Sequence, residues 1–132
     1  MTVITHWRAL AAALLLAMAA GPARAEITDY EFRLLQGELK PGHGVIVAVQ
    51  LIDKRSGKPV PDAVIFARRI DMAPDGMETM TSPIEAVPAT EPGTYRFKTN
   101  LTMEGGWRLS LAAKVQGEKG TLESRLVLRA VR

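Results

Sequence analysis

Three methionines lie close together in one polar segment of the chain. Met72, Met77 and Met80 surround the turn-forming sequence Pro74-Asp75-Gly76. A thioether is a soft, neutral donor that favours Cu(I), and it stays a usable ligand in an oxidising compartment, where a thiol would be oxidised. Methionine also fills irregular gaps between apolar side chains. The cluster therefore predicts either a Cu(I) site or adaptable packing, and the sequence leaves both open.

Two further residues extend the candidate donor set. Met103 follows a predicted strand, and His43, which opens another, is the only histidine after residue 25. An imidazole binds copper or zinc, although the flanking Gly42 and Gly44 are equally compatible with an exposed turn. A zinc site is disfavoured, because tetrahedral zinc sites draw on several histidines and cysteines. The predicted metal ligands are Met72, Met77, Met80, Met103 and His43, with Cu(I) as the candidate cofactor.

The residue types that are missing exclude several classes of site. The chain has no cysteine, which excludes disulfides, thiolate metal centres, cysteine nucleophiles and a lipoprotein anchor. A Ser-His-Asp arrangement would have to use His43, and no serine lies in a nucleophile-elbow context. Neither a GxGxxG fingerprint nor a P-loop is present. We therefore expect a protein that is not an enzyme.

The N-terminal segment predicts export. A short basic region ends at Arg8, an apolar run spans residues 9–20, and Ala23-Arg24-Ala25 has the small-x-small form of a signal-peptidase site. The apolar run is shorter than the roughly 20 residues that a transmembrane helix needs. We expect a signal peptide over residues 1–25 and one domain over residues 26–132. The mature protein should be periplasmic, with no stable membrane span after cleavage.

The charge of the mature chain argues against nucleic acid as a partner. The full chain has 17 basic and 14 acidic residues and a net charge of +3. Removal of residues 1–25 takes away Arg8 and Arg24 but no acidic residue, which leaves 15 against 14, or +1. Such a balance does not provide the basic surface that nucleic-acid binding requires.

Apolar residues after residue 25 recur with period two, which is typical of half-buried strands. Gly- and Pro-containing turn sequences separate the runs. Short strands at this spacing predict an all-β sandwich or small barrel. The predicted strands, A to G, span residues 30–39, 43–52, 62–71, 84–88, 93–101, 107–116 and 121–131. The alternation places Trp107, Leu109, Leu111, Tyr95, Phe97 and Leu126 in one core.

Strand parity brings the candidate ligands together. In a fully antiparallel chain every second connection returns to the same pole, so the A–B, C–D and E–F connections share one end. That end would hold His43, the methionine-bearing loop over residues 71–80, and Met103. The convergence requires strand D near residues 84–88, because without it strand E runs the other way and Met103 moves to the opposite pole.

Several segments resemble a known family. The run over residues 44–53 is followed by Gly57-Lys58-Pro59-Val60-Pro61-Asp62-Ala63, and Gly93-Thr94-Tyr95 leads to the segment 103–109. This pattern resembles the YtkA-like domain, related to FixH-type proteins, over nearly the whole mature chain. The resemblance implies an antiparallel immunoglobulin-like sandwich of about seven strands. It also implies a functional link with heavy-metal efflux or with copper delivery to oxidases. It places a Met-x-Gly-x-Trp segment on Met103, Gly105 and Trp107.

Two functions remain open at this point. The first is a periplasmic accessory protein that buffers or delivers Cu(I), with a metal-efflux or oxidase-assembly protein as its partner. The second is a non-catalytic module that binds a protein partner through a sheet edge or its polar loops, without metal. The chain departs from FixH-type proteins in lacking a predicted retained membrane helix, and from many exported copper carriers in having a single mature histidine.

Overall fold

The structure, a computed structural model, describes residues 26–132. Two short 3-10 helices, Ile27–Asp29 and Ala73–Asp75, accompany a chain that is otherwise built from strands. In chain order the strands are β1 (Tyr30–Leu34), β2 (Glu38–Leu39), β3 (Gly42–Asp53), β4 (Lys58–Pro59), β5 (Val64–Met72), β6 (Met77–Ser82), β7 (Ile84–Val87), β8 (Thr94–Leu101), β9 (Gly105–Lys114) and β10 (Leu122–Ala130). The predicted signal peptide lies outside the described residues. Within them, no helix has the length and apolar character needed to span a membrane.

The strands form two sheets. The first has the order β1-β3-β8-β7, with the short β4 beside β3, and the second has the order β2-β10-β9-β5-β6. Neighbouring strands are antiparallel except for β2, which runs parallel to β10. These orders correspond to the A-B-E-D and G-F-C-C′ sheets of immunoglobulin-like sandwiches. The predicted all-β, immunoglobulin-like fold is therefore confirmed.

The core lies between the sheets, where the predicted alternation of β9 places it. Trp107, Leu109 and Leu111 are buried, and Arg108 and Ser110 between them are half-buried. Phe97 joins this core as a buried residue, while Tyr95 and Leu126 are partly buried and pack against it. Because β8 and β9 each have one largely apolar and one largely polar face, the register decides which of their residues enter the core.

Predicted strand A is divided between the two sheets. β1 pairs with β3 in the first sheet, whereas β2 pairs with β10 in the second. The chain crosses between the sheets over residues 35–37, where Leu35 is exposed. A single strand over residues 30–39 was therefore the wrong prediction, although it covered the correct part of the chain.

The methionine-bearing segment also differs from its prediction. The loop predicted over residues 71–80 is in fact the end of β5, a 3-10 turn and most of β6. β6 could not be predicted from the sequence, because residues 77–81 are all exposed and therefore do not alternate between apolar and polar. Strand D is confirmed as β7, which pairs with β8. Pro83 alone separates β6 from β7, and there the chain passes from the second sheet to the first.

Candidate functional site

One pole of the sandwich collects the strand ends that carry the predicted ligands. In the first sheet, Gly42 at the start of β3 pairs with Leu101 at the end of β8. In the second sheet, Asp71 near the end of β5 pairs with Arg108 near the start of β9. Since residues 102–104 connect β8 to β9, all of these ends lie at the same pole. We call it the methionine pole, and it includes Met72, Met77, Met103 and His43. Met80 belongs to it as well, because it lies between the Met72–Met77 and Asp71–Thr81 pairs at the end of β5.

Met72 differs from the other methionines at this pole. Its side chain is fully buried and belongs to the hydrophobic core. Its Cε atom lies about 3.1 Å from where a Cβ would be if Gly105 carried one, so the side chain fills the space that this glycine leaves. That environment matches packing by an adaptable hydrophobe, and it gives an ion at the surface no access to the sulfur.

The other three methionines are partly exposed. The exposed fractions are 37% for Met77, 36% for Met80 and 40% for Met103. Met77 pairs with Met72, and Thr81 pairs with the preceding residue on β5, Asp71. Residues 78–80 therefore have no partner on β5 and form an irregular bulge that carries Met80.

A buried carboxylate anchors this bulge. Asp71 is fully buried, and its Oδ2 accepts hydrogen bonds of 3.1 Å from Arg69 Nε and from Arg108 Nη2. Its Oδ1 accepts a 2.9 Å hydrogen bond from the Ala73 amide. Arg69 also donates from Nη2 to the carbonyl oxygen of Glu78, at 2.9 Å. The carboxylate thus fixes both the 3-10 turn and, through Arg69, the methionine-bearing bulge.

The pKa of Asp71 reflects two opposing effects. Burial acts to raise the pKa of this carboxyl, because the charged form loses its hydration. Hydrogen bonds from the Ala73 amide, Arg108 and Arg69 favour the charged form, and together they hold the pKa below its ordinary value. Asp71 is therefore ionised at neutral pH and serves as a structural anion, with its oxygens already occupied by donors.

Asp75 ties the 3-10 turn to the connection between β8 and β9. Its Oδ2 accepts a 3.1 Å hydrogen bond from the Gly106 amide. Gly105 has φ +134°, and a Cβ there would collide with the Asp75 carboxylate. The indole Nε1 of Trp107 donates to the carbonyl oxygen of Met103 at 3.1 Å. These contacts hold the backbone of Met103 beside the turn that follows Met72.

His43 has a different environment. It lines an open depression together with Lys40, Thr102 and Arg132. Lys40 forms no ion pair among residues 26–132 and disfavours a further cation by Coulomb repulsion, whereas Glu104 offsets the charge of Arg132 at 3.6 Å. Across residues 26–132, no group of three or more His, Asp or Glu side chains is arranged to hold a metal ion.

Reasoning from the sequence missed the Asp71 network. Its signal was present, because Arg69 and Asp71 are two apart on a strand and so share a face. Arg108 joins them only through the pairing of β5 with β9, which local pattern does not specify. The sequence therefore showed the thioethers but not the buried charge that positions them.

Comparison with known proteins identifies the family. The model of a family described as YtkA-like matches residues 24–112. The chain belongs to the YtkA-like family. Among solved structures, this YtkA-like chain is similar to "Crystal structure of the Lin-41 filamin domain", at 20% identity and a TM-score of 0.43, over 79% of this chain and 96% of that one. It is also similar to "ZirS C-terminal Domain", at 14% identity and a TM-score of 0.45, over 85% of this chain and 82% of that one. No curated protein matches it significantly.

Proposed function

We propose that this YtkA-like protein is a non-catalytic periplasmic accessory protein that carries Cu(I) at the methionine pole. In this role it buffers the ion or delivers it to a metal-efflux or oxidase-assembly partner. The observation that carries the proposal is the partial exposure of Met77, Met80 and Met103. Gap-filling methionines are buried, as Met72 is, so packing alone does not account for the other three.

The proposed donor set is smaller than the one predicted from the sequence. Met72 is left out of the donor set because it is buried, and His43 is disfavoured as a ligand because of its cationic surroundings. Three neutral thioethers remain, and soft sulfur donors select Cu(I) over Zn(II). Without a thiolate or carboxylate the site adds no negative charge to offset the ion, so binding should be reversible. Reversible binding suits a protein that passes the ion on.

The competing function is a protein-interaction module without metal. The feature that favours it is the apolar edge of β5, where Val64 and Phe66 are exposed. Single exposed apolar residues are ordinary on protein surfaces, but two within three residues of one strand form a small patch. This module would use a part of the molecule separate from the methionine pole.

The test is a competition titration with Cu(I) under anaerobic conditions against a chromophoric chelator. We expect Met77→Leu, Met80→Leu and Met103→Leu, combined in one chain, to weaken Cu(I) binding by roughly tenfold or more. Met72→Leu is the matched control, since it removes a thioether that is buried, and Cu(I) affinity should persist. Zn(II) should bind more weakly than Cu(I) to the unmodified protein. Unchanged Cu(I) affinity in the triple variant would reject the metal proposal and leave the interaction module.

A further inference from the structure

The two halves of β5 differ in how many partners they have. On one side the strand pairs with β9 from Val64 to Asp71, except at Phe66. On the other side β6 pairs only with Ile70, Asp71 and Met72. The first six residues, Val64–Arg69, therefore present an edge with which no strand pairs among the described residues. At about 3.3 Å per residue this edge is roughly 20 Å long.

The open edge is apolar where an edge is usually protected. Val64 is 60% exposed and Phe66 is 55% exposed. Phe66 is the extra residue of a bulge, since Ile65 and Ala67 pair with the adjacent residues Ala113 and Ala112. Natural sheets commonly shield edge strands with charge, proline, bulges or a covering segment. This edge has a bulge and two arginines, but its exposed apolar side chains give another strand apolar surface to cover.

The charges beside the edge indicate which strand would fit. Arg68, Arg69 and Arg125 line an open groove that starts at the edge and crosses the outer face of β9 and β10, and Glu123 is the one carboxylate in its lining. Small side chains, among them Ala67 and Ala112, form its floor. Within residues 26–132, Arg68 and Arg125 form no ion pair. The Nε of Arg68 donates a hydrogen bond of 3.4 Å to the carbonyl oxygen of Ile84 on β7, and Arg125 is separated from the edge by β9. Arg69 and Arg108 share the single charge of Asp71, so the surface keeps an excess of positive charge.

We propose that the Val64–Arg69 edge binds an extended segment of a partner protein in which apolar and acidic residues alternate. The segment would add to the second sheet beside β5, so that backbone hydrogen bonds provide affinity and alternate side chains provide specificity. Its apolar residues would cover Val64 and Phe66, and its carboxylates would meet Arg68 and Arg69, which lie on the edge itself. A second copy of this chain fits less well, because it would bring two basic edges together. The site uses none of the methionines, so its existence is independent of Cu(I) binding.

The probe is a blocked peptide of about six alternating valine and glutamate residues, matched to the length of the edge. Its binding to the 15N-labelled protein is followed by amide chemical-shift changes. We expect shifts concentrated on Val64–Arg69, slower hydrogen exchange there, and affinity that falls as salt is added. A peptide with lysine in place of glutamate should bind at least roughly tenfold more weakly.

Matched variants separate the edge from general surface hydrophobicity. Val64→Thr combined with Phe66→Ser should weaken binding of the glutamate peptide by roughly tenfold or more. Val127→Thr is the control, because Val127 is 56% exposed on β10, away from the edge. The affinity of this variant for the glutamate peptide should equal that of the unmodified protein. Arg68→Glu, which reverses the charge of the one edge arginine that forms no ion pair among residues 26–132, should remove the preference for the glutamate peptide over the lysine peptide.

Three results would overturn the proposal. The first is amide chemical-shift changes that map outside the edge and groove. The second is equal affinity for the two peptides, and the third is an equal loss of peptide affinity in the edge and control variants. Sedimentation of the protein alone provides a further arm. A dimer that Val64→Thr with Phe66→Ser dissociates would show that a second copy occupies the edge. Failure of peptide binding would leave the Cu(I) titration unaffected, so the two proposals can be judged separately.

Discussion

The two halves of β5 are continuous in sequence but have opposite surroundings. Ile70, Asp71 and Met72 are fully buried, with β9 on one side and β6 on the other. Val64 and Phe66, a few residues earlier, are more than half exposed, and this half of the strand pairs with β9 alone. Burial and two-sided pairing therefore change together along one strand. One half can anchor the methionine pole while the other stays free to bind.

The largest expected difference between the halves is in packing. Ile70→Ala removes a side chain from the core and should lower the free energy of unfolding by about 2–5 kcal/mol. Val64→Ala, in the exposed half, should change it by less than about 0.5 kcal/mol. Denaturant unfolding of both variants measures the two effects. Similar midpoints would show that the halves are equally packed and would remove the basis of the comparison.

Removal of the buried carboxylate should have the next largest effect. Asp71→Ala leaves the Ala73 amide without its partner and Arg108 without its counter-ion, and we expect a loss of about 3 kcal/mol. This is the lower end for a buried pair, because Arg69 is largely exposed and can be rehydrated. Asp62→Ala, at an exposed aspartate just before β5, is the control and should be nearly neutral. A loss no greater than that of the control would mean that Asp71 does not anchor the pole.

The contribution of Asp71 should also depend on pH in a defined direction. Its pKa is lower in the folded protein than in the unfolded chain. The stabilisation is therefore complete above the ordinary aspartate pKa of about 3.9 and is lost as pH falls through the lower folded value. The difference in unfolding free energy between the unmodified protein and Asp71→Ala should be constant near neutral pH and shrink in acid. A difference that grew in acid would contradict the lowered pKa.

The sequence specified the parts of the fold that depend on local alternation. In β9, apolar residues at every second position defined the strand and its inward face, which contributes Trp107, Leu109, Leu111 and Ala113 to the core. Glycine and proline marked the turns correctly, because they restrict or permit backbone conformations independently of the surrounding fold. The family could also be recognised from these segments, and the match over residues 24–112 agrees with that reading. The period-two pattern of apolar residues was therefore the main basis on which the fold class could be predicted.

The tertiary structure decided how the individual methionines and charges are used. Met72 and Met77 have the same chemistry and lie five positions apart, yet the register of β5 puts one in the core and leaves the other partly exposed. Residues 77–81 gave no strand signal because all are exposed, and their pairing with β5 depends on a segment that precedes the turn. The Asp71–Arg108 contact and the open edge at Val64–Arg69 likewise follow from which strand lies beside which. Burial and pairing of this kind are properties of neighbours distant in the chain, so local sequence alone does not determine them.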